Sequence, residues 1–324
     1  ESCLPGHGRG AAMTGPSRLL PADGHDVNAP GEHLWNYARL KPWVGWRSWA
    51  LILLWAPVGA GLCALRVALW PLGMVLYVPA HWLGVGRWYM RLIQPIFGCW
   101  VTIRGLENLQ RSAAPVVAAN HISEFDACAI WAAIPPAEQR LVVNEHSRTV
   151  ISMAQSLGWP ISPIFVNGPS VRDTIRHAVR EAAGSPARRR PLLIFPEGRS
   201  CSGIAVLRFH DFVFSLGTSV VPCAVRLANP WPVQVQCNGV RWLQNLLVLF
   251  FLPCVAYECT FLPPVCGAGL SASAVAEEVR QAISAELGVP CSHLGGKDKV
   301  AFAESRGKCL SAGGSGSPSR FAHV

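Results

Sequence analysis

A histidine and an aspartate five positions apart, His121 and Asp126, follow the apolar run Pro115-Val116-Val117-Ala118-Ala119 in the block Asn120-His121-Ile122-Ser123-Glu124-Phe125-Asp126. On one α-helix this spacing turns two side chains more than about 100° apart, so the pair meets only if the chain bends between them. Ser123 supplies the bend, because Ser-x-x-Asp ahead of an apolar stretch is a capping box that starts a helix near Glu124. The histidine then stands at a strand's carboxyl end and the aspartate in the next helix's first turn. There the carboxylate fixes one imidazole nitrogen and leaves the other to take a proton from a hydroxyl. An isolated H-x4-D also has a plainer reading, in which Asp126 only caps and His121 is a loop histidine.

A second segment adds to the first. Pro191-Leu192-Leu193-Ile194-Phe195 reads as a buried strand, and Pro196-Glu197-Gly198-Arg199-Ser200-Cys201-Ser202-Gly203 as a turn with a carboxylate and a guanidinium. Such a turn binds phosphate oxygens through backbone N–H groups and a charged fork. Ligands of open α/β sheets gather at the carboxyl ends of the strands, and both segments place their polar residues there.

The elements that must position these groups alternate. Strands are expected at 100–104, 115–119, 140–143, 163–166, 191–195, 219–225 and 233–238, with helices near 124–134, 147–157, 170–183 and 206–216. Alternation of this kind implies an α/β fold, a mainly parallel sheet covered on both faces by helices. Residues 242–262 read as a buried helix leading into a strand, or as a second membrane-facing surface, and 271–288 as an amphipathic helix. The expected organisation is a disordered N-terminus at 1–33, a membrane-embedded and interfacial segment at 34–99 and the α/β domain at 100–262. A linker with the amphipathic helix follows at 263–305, then a Gly/Ser tail at 306–324.

The 324 residues are 51% hydrophobic and only 15% charged, with a formal net charge of +9. That balance points to membrane contact and to anionic lipid or phosphate-bearing substrates. No zinc-finger or RNA-binding signature accompanies the basic charge, so nucleic acid is not an expected partner. Twelve cysteines contain no C-x-x-C pair, and Cys63, Cys99, Cys128, Cys223 and Cys254 lie in apolar runs, as buried thiols facing a reducing compartment do. Cys291-Ser292-His293 lacks a second ligand pair, so no metal is expected. No G-x-S-x-G elbow is present, which sets aside a serine hydrolase. No signal peptide is evident in the first thirty residues.

Trp49 to Ala80 is almost continuously apolar, broken by Arg66, Pro57 and Pro71. Arg66 divides it into halves shorter than the roughly 20 residues a spanning helix needs. A hairpin entering and leaving one leaflet is therefore expected. Trp43, Trp46, Trp49 and Trp82 would lie at the interface and Arg39, Lys41, Arg47 and Arg87 at headgroups. A spanning helix carrying one charge, or an apolar helix packed on the domain, are the alternatives. Arg188-Arg189-Arg190 reads as a solvated turn or as a contact to anionic lipid.

The sequence resembles the phospholipid/glycerol acyltransferases, whose catalytic block is N-H-x-S-x-x-D and whose acceptor block is F-P-E-G-T-x-S. Asn120, His121, Ser123 and Asp126 match the first block fully. Phe195, Pro196, Glu197 and Gly198 match the second, with Arg199 where the family has Thr. Ile164-Phe165-Val166-Asn167 and Val220-Val221-Pro222-Cys223-Ala224-Val225 resemble the two lesser blocks, in order, over roughly residues 100–260. The resemblance implies a glycerolipid-acyltransferase fold and acyl transfer from acyl-CoA, a co-substrate rather than a cofactor, to a lysophospholipid or glycerol-phosphate acceptor. His121 and Asp126 would be catalytic. Asn120, Ser123, Glu197, Gly198, Arg199 and Ser200 would bind substrate, and Pro222 would shape the acyl or CoA side. The family's motif arginine is replaced by Gly168, and Arg199 or Arg172 is expected to supply its charge.

Leu51-Ile52-Leu53-Leu54-Trp55-Ala56-Pro57-Val58-Gly59, Gly203 with Leu207-Arg208-Phe209, and the stretch from Val279-Arg280-Gln281 to Glu286-Leu287-Gly288 resemble a branch of that family found at the endoplasmic reticulum and lipid droplets. This implies a catalytic domain facing the cytosol, membrane lipids as partners and protein partners at the endoplasmic reticulum. The C-terminal ubiquitin-binding CUE region of that branch is expected to be lacking. An inactive acyltransferase-fold scaffold working in lipid-droplet regulation or protein quality control is the competing expectation.

Overall fold

The computed structural model describes residues 26–112, 114–166, 170–184 and 190–305. Of the expected disordered N-terminus at 1–33, residues 1–25 lie outside the described residues, as do Asn167-Gly168-Pro169, Arg188-Arg189 and the tail from 306; residues 26–33 are instead held in place, because Val27 O and Asn28 Oδ1 accept from Ser292 Oγ and His293 N–H.

A seven-stranded sheet organises the chain, in the order β1 (Cys99–Arg104), β7 (Val255–Phe261), β6 (Val220–Ala228), β2 (Val116–Ala119), β5 (Leu192–Ile194), β3 (Arg140–Val143), β4 (Ser162–Phe165). Every neighbouring pair is parallel except β6 with β7. β2 is buried along its whole length, as a strand covered on both faces must be. On one face pack α5 (Asp126–Ile130) and α8 (Trp242–Phe251), around Ile130, Val221, Leu249, Phe250 and Tyr257. On the other lie α7 (Val171–Gly184) and α9 (Ala272–Leu287), around Val116, Ile175, Val179, Val220 and Val279. α4 (Leu106–Arg111) and α6 (Arg148–Ser156) complete the expected alternation.

Two expected elements are absent as such. The alternating Val233–Asn238 stretch is not a sheet strand. Its partner is the incoming segment, with Leu40 bridging Val233 and Gln234 N–H bonding to Arg39 O. The expected helix at 206–216 is irregular except for a single turn at Phe214–Leu216. Its backbone groups are taken by other parts of the chain: Val206 N–H donates to Pro290 O, Arg208 N–H to Leu294 O and His210 N–H to Pro196 O. A helix would leave those remote carbonyls without donors.

The apolar N-terminal segment is a single helix, α2 (Trp46–Trp82), not two halves bent at Arg66. Pro57, Pro71 and Pro79 lie inside it without ending it. The chain reverses instead at Leu83-Gly84-Val85, where Gly84 takes φ 74°, and α3 (Gly86–Ile96) folds back against α2. At 37 residues α2 is roughly 55 Å long at 1.5 Å per residue, and among the described residues it alone is long and apolar enough to cross a membrane.

Arg66 does not interrupt α2, because its charge is satisfied by the domain. Its guanidinium donates to the carbonyls of Ile96, Phe250, Leu252 and Pro253 at 2.6–2.9 Å. These are orphan acceptors at the ends of α3 and α8, which otherwise lack partners. Gly59, Arg66, Gly73 and Ala80 are buried at intervals of seven along α2. The two glycines let aromatic rings close in, since a Cβ at Gly59 would meet the Phe251 ring at 2.7 Å and one at Gly73 the Phe97 ring at 3.0 Å. Leu53, Leu54, Trp82, Trp88 and Leu92 on α2, α3 and their junction remain exposed.

A smaller core closes over the sheet's rim. Leu34 and Trp35 from α1 (Glu32–Trp35), Cys201 and Leu207 from the turn after β5, and Leu294 and Ala303 from the segment containing α10 (Gly296–Ser305) are all buried together.

Candidate active site

β2 ends at Ala119, and the block Asn120–Asp126 curls over its carboxyl end. Asn120 fastens the base of the turn to β6, its amide accepting from Val225 N–H at 2.7 Å and donating to Val225 O at 2.9 Å. The Asp126 carboxylate, wholly buried, collects the rest of the turn. Its Oδ2 accepts from Ile122 N–H at 2.6 Å, Ser123 N–H at 2.9 Å and His121 Nδ1 at 2.9 Å. Its Oδ1 accepts from Ser123 Oγ at 2.8 Å. The expected capping box is not formed: the helix starts at Asp126, with Phe125 at its N-cap and no side-chain cap bond, because Ser123 Oγ accepts from Phe125 N–H and the Asp126 carboxylate is turned back onto the residues before it.

A carboxylate flanked by donors requires His121 Nδ1 to carry a hydrogen, so Nε2 is left as the proton acceptor. The imidazole stacks on the Phe195 ring, 4.6 Å between centroids, and the His121 side chain is 23% exposed. A fixed tautomer, one ring face packed and a free nitrogen near solvent are what a general base needs.

The Glu197 turn abuts this block directly, Cys201 N–H donating to His121 O at 2.9 Å. It is not the open cradle its composition implies. Gly198 N–H bonds to Phe195 O and Ser202 N–H to Leu34 O. Ser200 Oγ lies 3.3 Å from Asn238 Oδ1. Glu197 is fully buried, with neither carboxylate oxygen in a well-formed hydrogen bond. Burial pushes its carboxyl well above the usual range, against the milder opposing pull of the nearby Leu207 and His121 backbone N–H groups. Arg199 is largely enclosed beside Tyr37, and desolvation lowers its pKa. Gly198 keeps φ 70°, with the His210 ring 3.0 Å from where a Cβ would stand, so a side chain there is excluded on two grounds.

Two residues expected at the site stand outside both the His121 turn and the Glu197 turn. Pro222 is inside the sheet on β6, opposite Ala118. Arg172 is on the exposed face of α7, its guanidinium 5.4 Å from the Phe212 ring centroid.

Three residues come to the site without a signal in the sequence. Tyr257 of β7 places its hydroxyl 2.7 Å from Ser123 Oγ. Lys299 of α10 is buried and donates to Ser200 O. Desolvation brings its pKa down to about 7. Glu124 accepts from Asn245 Nδ2 at 3.1 Å, and its carboxyl is raised by desolvation, opposed by Asn245 and His121. Among the described residues no group of acidic, His and Cys side chains could hold a metal.

Residues 100–226 match the family model described as Acyltransferase. The chain is similar to the lipid droplet-regulating VLDL assembly factor AUP1 of Xenopus tropicalis, 26% identical over 270 residues, covering 80% of this chain and 62% of that protein. It is similar to the human AUP1 as well, 26% identical over 255 residues, covering 77% and 58%. Lysophosphatidylcholine acyltransferase 2B of Rattus norvegicus is 25% identical over 193 residues, 55% of this chain and 37% of that one. The solved structure of the 1-acyl-sn-glycerophosphate acyltransferase PlsC from Thermotoga maritima aligns with TM-score 0.47 and 16% identity, over 82% of this chain and 100% of that one. The chain thus spans about three fifths of the length of the AUP1 proteins it matches.

Proposed function

We propose, from the premise that residues 100–226 form an acyltransferase-family domain, that the protein moves an acyl group from acyl-CoA to the hydroxyl of a lysophospholipid or glycerol-phosphate acceptor at a membrane surface. The observation that carries this reading is the 2.9 Å bond between His121 Nδ1 and the buried Asp126 carboxylate. His121 Nε2 takes the proton of the acceptor hydroxyl as its oxygen attacks the thioester carbonyl. Asp126 balances the imidazolium, and the proton then passes to the departing thiolate of CoA. The pair needs no covalent acyl-enzyme and no cofactor. The exposed apolar face of α2 and α3 would rest in one leaflet, with Trp82 and Trp88 at headgroup level. The lipid-droplet regulation named for the AUP1 relatives supports the droplet surface as the location, and the proposal adds the endoplasmic reticulum membrane, with the domain on the cytosolic side.

A second reading has its own support: the enclosure of Glu197 and Ser200 beneath α1 and α10 favours a scaffold that keeps the fold and binds partners in lipid-droplet regulation or protein quality control. Purified protein in detergent, given labelled acyl-CoA with lysophosphatidic acid, glycerol 3-phosphate or lysophosphatidylcholine, separates the two. Acyl transfer that falls about 10²- to 10⁴-fold in His121→Ala, with the melting temperature kept, is the expected result. No transfer to any acceptor would leave the scaffold.

A further inference from the structure

The Asp126 carboxylate has a partner chain that runs out of its own turn and across the sheet. Ser123 Oγ lies 2.8 Å from Asp126 Oδ1 and 2.7 Å from the Tyr257 hydroxyl, and accepts from Phe125 N–H at 3.0 Å. Serine has a single hydroxyl hydrogen. The Asp126 carboxylate only accepts, so that hydrogen goes to it, and the short contact to Tyr257 is filled by the phenol donating to serine. Tyr257 stands on β7 between Val101 of β1 and Leu227 of β6, and is 1% exposed. Residue 257 also lies beyond the stretch 100–226 that matches the family model.

We propose that Tyr257 is a positioning residue for the acyl transfer: its hydroxyl donates to Ser123, Ser123 donates to Asp126, and Asp126 holds His121. The inference rests on the acyltransferase reading and extends it by one residue. A hydroxyl that accepts a hydrogen bond becomes a stronger donor, so the phenol tightens the Ser123–Asp126 bond and drains charge from the carboxylate that faces the imidazole. Burial, with the Asp126 charge beside it, pushes the phenol's pKa well above its usual value, so it stays a donor through the neutral range. Tyr257 of β7 thus reaches, through Ser123, the Asp126 oxygen that His121 does not touch.

The test is Tyr257→Phe alone and combined with Ser123→Ala. The phenylalanine keeps the ring in place, and Ser123 Oγ keeps Phe125 N–H as a partner, so the melting temperature should hold. Loss of one relay bond should lower kcat about threefold to tenfold with KM unchanged. The acid limb of the pH–rate profile should move to higher pH, because the less drained carboxylate holds the imidazolium more firmly. In the Ser123→Ala background the tyrosine change should have no further effect, since the relay is already cut. Unchanged kcat and pH profile in Tyr257→Phe, or equal losses in both backgrounds, would overturn the proposal. Carbethoxylation of His121, followed by peptide mass spectrometry across the neutral range, decides the matter even if no acceptor supports transfer. Slower modification of His121 in Tyr257→Phe than in the unsubstituted protein upholds the relay, and equal rates dismiss it.

Discussion

The His121 block and the Glu197 turn leave neighbouring strands, β2 and β5, yet they are held in different ways. All four donors on the Asp126 carboxylate come from residues 121–123. The Glu197 turn is closed by Leu34, Asn238 and Lys299, from three distant parts of the chain. In the first, the carboxylate is held by its own turn, beside a histidine that reaches solvent. The other is finished by the flanks of the chain and is buried under them. The difference shows that a short motif fixes geometry where its partners are local, and fixes only composition where they are remote.

Breaking the local site should have the largest effect. Asp126→Asn turns an acceptor of several backbone N–H groups into an amide that offers hydrogens where hydrogens already point. The fold should lose about 2–3 kcal/mol, read from urea unfolding, and transfer should fall about 10²- to 10⁴-fold. If Asp126→Asn is as stable as the parent, the turn is not organised by that carboxylate and the contrast between the two sites fails.

A smaller effect of opposite sign is expected where the flanks cover the Glu197 turn. Lys299 has a folded-state pKa of about 7 against an ordinary 10.5. The unfolded chain therefore binds the proton more readily, and stability rises with pH from about 7 to 10.5. Lys299→Met removes a buried amine, so it should stabilise the protein by about 1 kcal/mol or more at and below neutral pH, with the gain shrinking as pH rises through that window. Thermal melts of both proteins across the window check the slope. A Lys299→Met variant that melts lower at neutral pH would mean that the lysine is a net support for the cover.

The smallest effect belongs to Glu197→Gln. Burial raises the Glu197 carboxyl well above its usual value, so near pH 4.5 and below the folded protein holds the uncharged form, and there an amide of the same shape should alter stability by less than about 1 kcal/mol. The sign follows from linkage: a raised folded-state pKa makes the native carboxyl resist ionisation, so the parent loses stability as pH climbs above the ordinary 4.5. Glu197→Gln should flatten that loss. A steep destabilisation on substitution would show that Glu197 is charged and paired, and would bring the turn closer in kind to the His121 block.

What was legible in the sequence follows the range of the interactions involved. The strands at β1 to β6, the helices α6, α7 and α9, and the pairing of His121 with Asp126 depend on apolar period and on contacts within a few residues, and these a linear reading captures. The 206–216 and 233–238 stretches were misread because their backbone partners, 290–294 and 39–41, lie far away in the chain and displaced the local preference. The expected bend at Arg66 failed for the same reason, since hydropathy counts an arginine as a break. Four carbonyls, three of them from 184 to 187 residues further on, made it a fastening. Residue order alone determined a covered, mainly parallel sheet with a histidine and its carboxylate at the rim, because those are products of short-range sterics, periodicity and hydrogen bonds within one turn. Only the folded chain decided which face of α2 docks, that Glu197 is sealed from water and that Tyr257 meets Ser123, because each needs surfaces remote in sequence to arrive together before any of its bonds can form.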